Sequence, residues 1–228
     1  MSLILALDTS TEACSCALIK DGGIREDFAL IPRQHTQRIL PMIRQMMQDA
    51  GVAFSDLDAI AFGKGPGSFT GLRIAAGVTQ GIAMAAQLPV IGVSTLEAMA
   101  LEAGEQAESG CILACLDARI DEIYWALYSL VDGLPQVLMA ESLGKPEALP
   151  TPQEGGLDRL LAVGNGLNYR ERFPDPWRAA LSRELPDILP RAGHMARLAA
   201  LAFQRGEVMT AEEVAPLYLR DKVTHSQG

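Results

Sequence analysis

Histidine is almost missing from this chain of 228 residues: His35, His194 and His225 are all it has. They make no pair four residues apart and no His-Glu-x-x-His, so the imidazole set that a zinc hydrolase gathers on one helix face is not there. Cysteine is nearly as scarce. Four cysteines are too few to staple a chain of this length, and none forms a Cys-x-x-Cys pair, which disfavours a zinc or dithiol redox centre. Cys14 and Cys16 alternate with Ser15 and Ala17 as residues on one face of a strand do, and Cys111 and Cys115 flank another apolar run. Burial as small hydrophobes in a reducing compartment accounts for them. No metal site is expected.

Positive charge is in short supply too. With 19 basic and 28 acidic residues the formal charge is -9, and the pI is near 4.8. Phosphate neutralisation needs clustered Lys and Arg, so strong independent binding to nucleic acid or to an anionic membrane is disfavoured; RNA, if it matters, is held by a partner. No basic leader precedes Asp8, which argues against a signal peptide and for a cytoplasmic chain. Charge is absent altogether between Arg73 and Glu97, a stretch that imitates a membrane span. Gln80, Gln87 and Pro89 interrupt it, and the pattern turns from an Ala/Gly helix to the strand Val90-Ile91-Gly92-Val93. A soluble helix followed by a buried strand explains it better, so no membrane contact is expected.

What the chain does have is apolar residues, 49% of the total, enough for one large domain or two small lobes. Leu3 to Leu7 reads as a strand ending at Asp8-Thr9-Ser10-Thr11; Cys14 to Lys20 and Ile24 to Leu30 complete an antiparallel meander around the turn Asp21-Gly22-Gly23. A helix from about Thr36 to Ala50 stops at Gly51 and carries Pro41 near its beginning. Ala59 to Phe62 is a short buried strand, and a long helix runs from about Thr70 to Gln87. After Gly104 the plan restarts: a strand from Cys111 to Leu116, the turn Asp117-Ala118-Arg119, a strand from Glu122 to Leu130, and a hairpin at Asp132-Gly133. A surface connection from Lys145 to Gly156, a strand from Leu160 to Val163, a helix from Pro190 to Arg205 and an apolar tail from Ala215 to Arg220 follow. Two lobes, 1–104 and 105–228, with the tail packing back on the first, fit a duplicated actin-like α/β architecture of mixed sheets with flanking helices.

The most telling stretch is Phe62-Gly63-Lys64-Gly65-Pro66-Gly67-Ser68-Phe69-Thr70-Gly71-Leu72-Arg73-Ile74. It closes a strand, turns on glycine and opens a helix whose first amides can face an anion. Gly65, Gly67 and Ser68 are the small-ligand candidates there, joined by Asp8 and Ser10 at the end of the first strand, where an actin-like ATPase holds a metal-bound phosphate. The bland alternative is a plain strand-to-helix turn, with Asp8 closing an Asx turn. Lys64 sits inside the turn with no Gly-Lys-Ser/Thr after it, so this is not a Walker loop, and Ser68 occupies the last glycine of a dinucleotide fingerprint. Asp117 and Arg119 face the cleft from the second lobe or form a local ion pair. His35 suits a structural cap contact at its helix start.

Ile39, Met42, Ile43, Met46 and Met47 lie at helical spacing, and Gly77 and Gly81 lie one turn apart on the next helix. Such methionines are usually core filling. Together with the glycines they also suit a flexible apolar surface against another subunit, and Ile39, Met42, Ile43, Met46, Gly77 and Gly81 are the interface candidates.

Leu5-Ala6-Leu7-Asp8-Thr9-Ser10-Thr11, His35-Thr36 with Leu40-Pro41, Gly65-Pro66-Gly67-Ser68-Phe69-Thr70-Gly71-Leu72-Arg73, Asp117-Ala118-Arg119 and Pro216-Leu217-Tyr218-Leu219-Arg220 together resemble the TsaB family, also called YeaZ, over nearly the whole chain. The resemblance implies an actin-like (RNase H-like) fold. It also implies a cytoplasmic partner subunit, without catalysis of its own, that works with a TsaD-type catalytic paralogue and a TsaE-type ATPase. Together they place a threonylcarbamoyl group on the adenosine next to the anticodon of ANN-decoding tRNAs, with tRNA met only through the complex. Alone, such a subunit is expected to form a homodimer. It would require no cofactor, with ATP or ADP bound weakly if at all. The first-lobe helices would join TsaD in a helical bundle. Older naming places both paralogues among M22 glycoprotease-like peptidases, so a peptidase and a nucleotide-dependent actin-like ATPase or kinase are the rival classes. Where the catalytic paralogue carries Asn-His-Leu-Glu-Gly-His, this chain reads Ser94-Thr95-Leu96-Glu97-Ala98-Met99, and both metal-binding imidazoles are replaced.

Overall fold

A computed structural model describes residues 2–106, 110–150, 157 and 159–220. The chain forms β1 (Ile4–Asp8), β2 (Ala13–Lys20), β3 (Gly23–Leu30), α1 (His35–Ala50), β4 (Ala59–Gly65), α2 (Phe69–Ala86), β5 (Val90–Ser94) and α3 (Thr95–Gly104). It continues with β6 (Cys111–Arg119), β7 (Glu122–Val131), β8 (Leu134–Gly144), β9 (Leu160–Val163), α4 (Asp175–Ala180), β10 (Leu181–Leu185) and α5 (Ala192–Gln204). The first sheet runs β3-β2-β1-β4-β5 and the second β10-β9-β6-β7-β8. In each, an antiparallel meander of three strands is followed by two parallel ones, so the second sheet repeats the first strand for strand. This duplicated two-lobe α/β plan is the fold expected of the sequence.

Both faces of the first sheet are covered, which is why β1 is buried at every position and β4 at all but Lys64. Leu5, Leu7, Cys14, Cys16, Ile60 and Phe62 meet α1 and α2 on one face; Ile4, Ala6, Ala59 and Ala61 meet Ala192, Met195, Ala196 and Ala199 of α5 on the other. Small residues on that side let α5 lie close. The edge strand β3 is mostly exposed and carries Arg25, Glu26 and Asp27, the charges that keep an edge from pairing with a second chain.

The strands divide at Gly104, but the helices do not. α3 follows the first sheet in sequence and packs on β6, β7 and β8 of the second, whereas α5 follows the second and lies across β1, β2, β4 and β5 of the first. A boundary at residue 104 therefore separates the sheets and cuts across a mutual exchange of helices. The start of α5 is fixed from the first lobe: Ala192 N donates to Ser15 Oγ at 3.0 Å, and Glu26 accepts from Gly193 N at 2.8 Å and from Arg191 at 2.7 Å. A carboxylate against a helix N-terminus is favourable. Past α5 the chain turns back along α2: Met209 pairs with Val90, and Gln80 Nε2 donates to Ala211 O at 2.9 Å. The connection expected over 145–156 lies outside the described residues beyond Pro150, as does the polar end with His225.

No helix of the described residues is long and apolar enough to cross a membrane. The uncharged stretch after Arg73 is split between α2 and β5, with Gln87 in the left-handed conformation ending the helix.

Candidate functional site

The glycine turn and the end of β1 meet, and they meet without a gap. Ser68 N donates to Ser10 O at 2.7 Å, and Thr9 Oγ1 donates to Gly71 O at 2.7 Å. A Cβ on Gly71 would stand 1.9 Å from Thr9 O, and one on Gly67 2.5 Å from Ser10 O, so glycine is used here for the close approach of the chain to itself. Ser68 caps α2, its Oγ accepting from Gly71 N at 3.4 Å. On the other side, Leu217 N donates to Lys64 O at 2.7 Å, and Leu217 O comes within 3.0 Å of where a Cβ on Gly65 would be. Asp8, Ser10, Gly65, Gly67 and Ser68 are thus brought together, but backbone carbonyls of Ser10 and Leu217 lie against the glycine turn where an anion would be cradled.

Asp8 is fully buried. Its Oδ1 accepts from Ser10 N at 3.1 Å and Ser10 Oγ at 2.9 Å, an Asx turn, while its Oδ2 has no hydrogen-bond partner. Removal from water pushes its pKa up to about 7, against the pull of the Ser10 bonds. A carboxyl shut away on both oxygens is placed to hold a turn.

Thr95 and Met99, where the resemblance sets the catalytic paralogue's imidazoles, are both fully buried and both engaged. Thr95 Oγ1 donates to Pro66 O at 2.6 Å, tying α3 to the glycine turn. Met99 packs so near Gly164 that a Cβ there would lie 2.4 Å from its Cε. A thioether and a hydroxyl with these contacts are a poor donor set for a hard or borderline metal. Among the described residues no group of three His, Cys, Asp or Glu side chains is placed to hold one. Ser94 ends β5 and caps α3, accepting from Glu97 N at 3.1 Å while donating to Glu141. Burial raises the pKa values of Glu97 and Glu141, and Lys64 offsets part of that.

The remaining candidates fall into place as structural contacts. Strand β6 runs on through Asp117-Ala118-Arg119, and the turn expected there falls at Ile120-Asp121. Arg119 pairs with Asp117 at 3.3 Å at the irregular end of the strand, with the arginine side chain 82% exposed. Tyr169 OH and Arg119 N donate to the same carboxylate. His35 Nε2 lies 3.1 Å from Ala13 O, joining the start of α1 to β2 rather than capping the helix. Cys14, Cys16 and Cys115 are buried, and burial pushes the first two thiols up to about 12.

One expectation is corrected. Ile39, Met42, Ile43 and Met46 are between 0% and 4% exposed and sit in the core between α1 and the first sheet. A helical apolar stripe marks the face a helix buries in its own fold, and these four leave no surface for a partner. Gly77 and Gly81 do the opposite: a Cβ on either would meet nothing within 4 Å. They stand on the outward face of α2 with exposed Phe69, Arg73 and Met84, beside α1, whose outward residues include Leu40 and Arg44. Arg73, Phe69 and Tyr218 form one cluster at the end of that face. Nothing in the sequence joins Tyr218 to Arg73; the only local sign is an aromatic in the short apolar tail.

The family model described as "TsaD: tRNA N6-adenosine threonylcarbamoyltransferase" matches residues 20–225. The chain is similar to the Escherichia coli (strain K12) tRNA threonylcarbamoyladenosine biosynthesis protein TsaB, with 40% identity over 96% of this chain and 95% of the relative. It resembles the Haemophilus influenzae TsaB at 36% identity, over 97% and 94%. Among solved structures, YeaZ from Pseudomonas aeruginosa superposes with a TM-score of 0.89 at 43% identity, covering 96% of this chain and all (100%) of that one. A Pseudomonas aeruginosa structure described as an uncharacterized protein with similarity to peptidase YEAZ gives a TM-score of 0.90 at 44% identity, again over 96% and 100%.

Proposed function

The chain belongs to the TsaB family and has its role in tRNA threonylcarbamoyladenosine biosynthesis, and we propose that it fills this role by docking rather than by chemistry. In this reading it is the cytoplasmic partner subunit of a TsaD-type catalyst, acting with a TsaE-type ATPase, and meets tRNA only through the assembled complex. The observation that carries the proposal is the outward face of α2, where Gly77 and Gly81 have open space above them. Glycine lowers helix stability by about 1 kcal/mol relative to alanine, so two exposed glycines one turn apart make structural sense where another helix must come close. The bundle is built on the outward sides of α1 and α2, with Gly77 and Gly81 at its seam and the methionines behind it. In isolation the same bare face favours a homodimer.

The interior supports a scaffold as well. The glycine turn is closed by Ser10 O and Leu217 O, and the two imidazole positions are filled by Thr95 and Met99. The subunit then needs no cofactor of its own, and nucleotide binds the isolated chain weakly at most.

The test is reconstitution with an ANN-decoding tRNA, a threonylcarbamoyl donor, ATP, and purified TsaD- and TsaE-type subunits. Omitting this chain should abolish modification. This chain alone should neither modify tRNA, hydrolyse ATP nor cleave protein. Turnover by the chain alone, dependent on Asp8 or on a metal, would replace the scaffold reading by one of the rival classes.

A further inference from the structure

Eight of the 15 arginines of this acidic protein are already spoken for. Arg119, Arg170, Arg172, Arg178, Arg191, Arg197, Arg205 and Arg220 each have a carboxylate within 4 Å. Arg73 has none among the described residues, yet its guanidinium is not loose. It stacks on the Phe69 ring with its carbon 3.8 Å from the centroid, and its Nε donates to Tyr218 OH at 3.0 Å. The two rings contact each other at 5.3 Å between centroids. Tyr218 is itself held by its neighbours: Leu217 N is bonded to Lys64 O, and Arg220 reaches Glu122 at 2.6 Å and Ala118 O at 3.2 Å in the second lobe. Phe69 is 51% and Tyr218 42% exposed, so two aromatic rings are kept near solvent to fix one cation. The Nε of the guanidinium is taken, its terminal nitrogens have no hydrogen-bond partner among the described residues, and the residue is exposed.

We propose that Arg73 is a preorganised anchor of the docking face, set to take a carboxylate side chain of the partner subunit in a two-pronged bond. The proposal rests on the reading of α2 as the docking face and adds the chemistry at its end. A guanidinium fixed by stacking loses little freedom on pairing, and its planar fork matches a carboxylate. A phosphate has the same oxyanion chemistry but is the less favoured source here. The nearby glycine turn is closed by carbonyl oxygens, and a polyphosphate approaching a chain of charge -9 meets repulsion. A protein carboxylate carries one charge and arrives with an apolar helix face that Gly77, Gly81 and Met84 accommodate.

The experiment is a titration of the TsaD-type subunit from the same genome, without nucleotide, against the full chain and its variants, with thermal melts to verify folding. Arg73→Ala and Arg73→Lys should each weaken binding about tenfold or more, because lysine lacks the fork. Tyr218→Phe, which keeps the ring and removes the bond to Nε, should weaken it less. The salt dependence of binding should be shallower in Arg73→Ala than in wild type. An Arg73→Glu loss restored by reversing one partner acid to arginine identifies the carboxylate. If Arg73→Ala binds as wild type while Gly81→Phe does not bind, the anchor is wrong and the docking face stands. Should Gly81→Phe also bind normally, the docking reading fails and takes the anchor with it. A defect of Arg73→Ala that shows only when ATP or ADP is added would assign the fork to a phosphate and overturn the proposal.

Discussion

Asp8 and Gly63 lie side by side where β1 meets β4, so close that a Cβ on Gly63 would stand 2.0 Å from Asp8 Oδ2. The carboxylate oxygen without a hydrogen-bond partner and the missing side chain occupy the same space. Gly63→Ala should therefore destabilise the fold by about 3 kcal/mol through overpacking, read as a shift in the denaturant midpoint. Asp8→Ala in the same chain should return part of that loss, with a coupling of about 1 kcal/mol or more. Strict additivity of the two changes would show that they do not share this space.

The buried Asp8 carboxyl gives the fold a pH dependence of known sign. Its folded pKa is raised from 3.8 to about 7, so the native state holds a proton that the unfolded chain releases. The associated stability is fully present below about pH 4 and is lost as pH rises through about 7. Asp8→Asn should match wild type near pH 4 and become the more stable of the two by pH 8. Melting both proteins across that range checks the prediction; a gap that does not widen with pH would contradict it.

Thr95 donates to Pro66 O from a fully buried position. Thr95→Val keeps the shape and leaves that carbonyl without its donor, which should cost about 1–3 kcal/mol. Equilibrium unfolding measures it, and an unchanged midpoint would mean that water replaces the hydroxyl.

On α2, Gly77→Ala and Gly81→Ala should each stabilise the isolated chain by up to about 1 kcal/mol, since the added methyl meets nothing and helix propensity improves. Gly81→Phe should leave the melting temperature of the monomer little changed and weaken association with the TsaD-type subunit about tenfold or more. Calorimetry of the chain alone and titration with the partner separate the two effects.

Much of this fold was legible because its strands are short apolar runs ended by Asp or Gly, and because Gly51 stops α1 in the left-handed conformation. α3 was not, since the run Thr95–Gly104 is buried at seven of its ten positions and shows no clean polar face. Ser94 and Glu97 do spell the Ser-x-x-Glu start of a helix, a signal overshadowed by the alignment with the metal-binding paralogue. The exchange of α3 and α5 between lobes is set by long-range packing that no local pattern encodes. Periodicity reports what a helix buries, so Ile39, Met42, Ile43 and Met46 mark the core side of α1, and the partner side proposed here rests instead on the open space above Gly77 and Gly81. Arg73 and Tyr218 are 145 residues apart, a pairing only the folded tail supplies.

The central claim, that this subunit acts through its surface and not through its buried cleft residues, is tested most directly by one reconstituted tRNA-modification assay run with two variants. Gly81→Phe should abolish threonylcarbamoylation while the chain remains folded, and Asp8→Asn should retain the wild-type rate. Full activity of Gly81→Phe together with loss of activity in a folded Asp8→Asn would contradict the account.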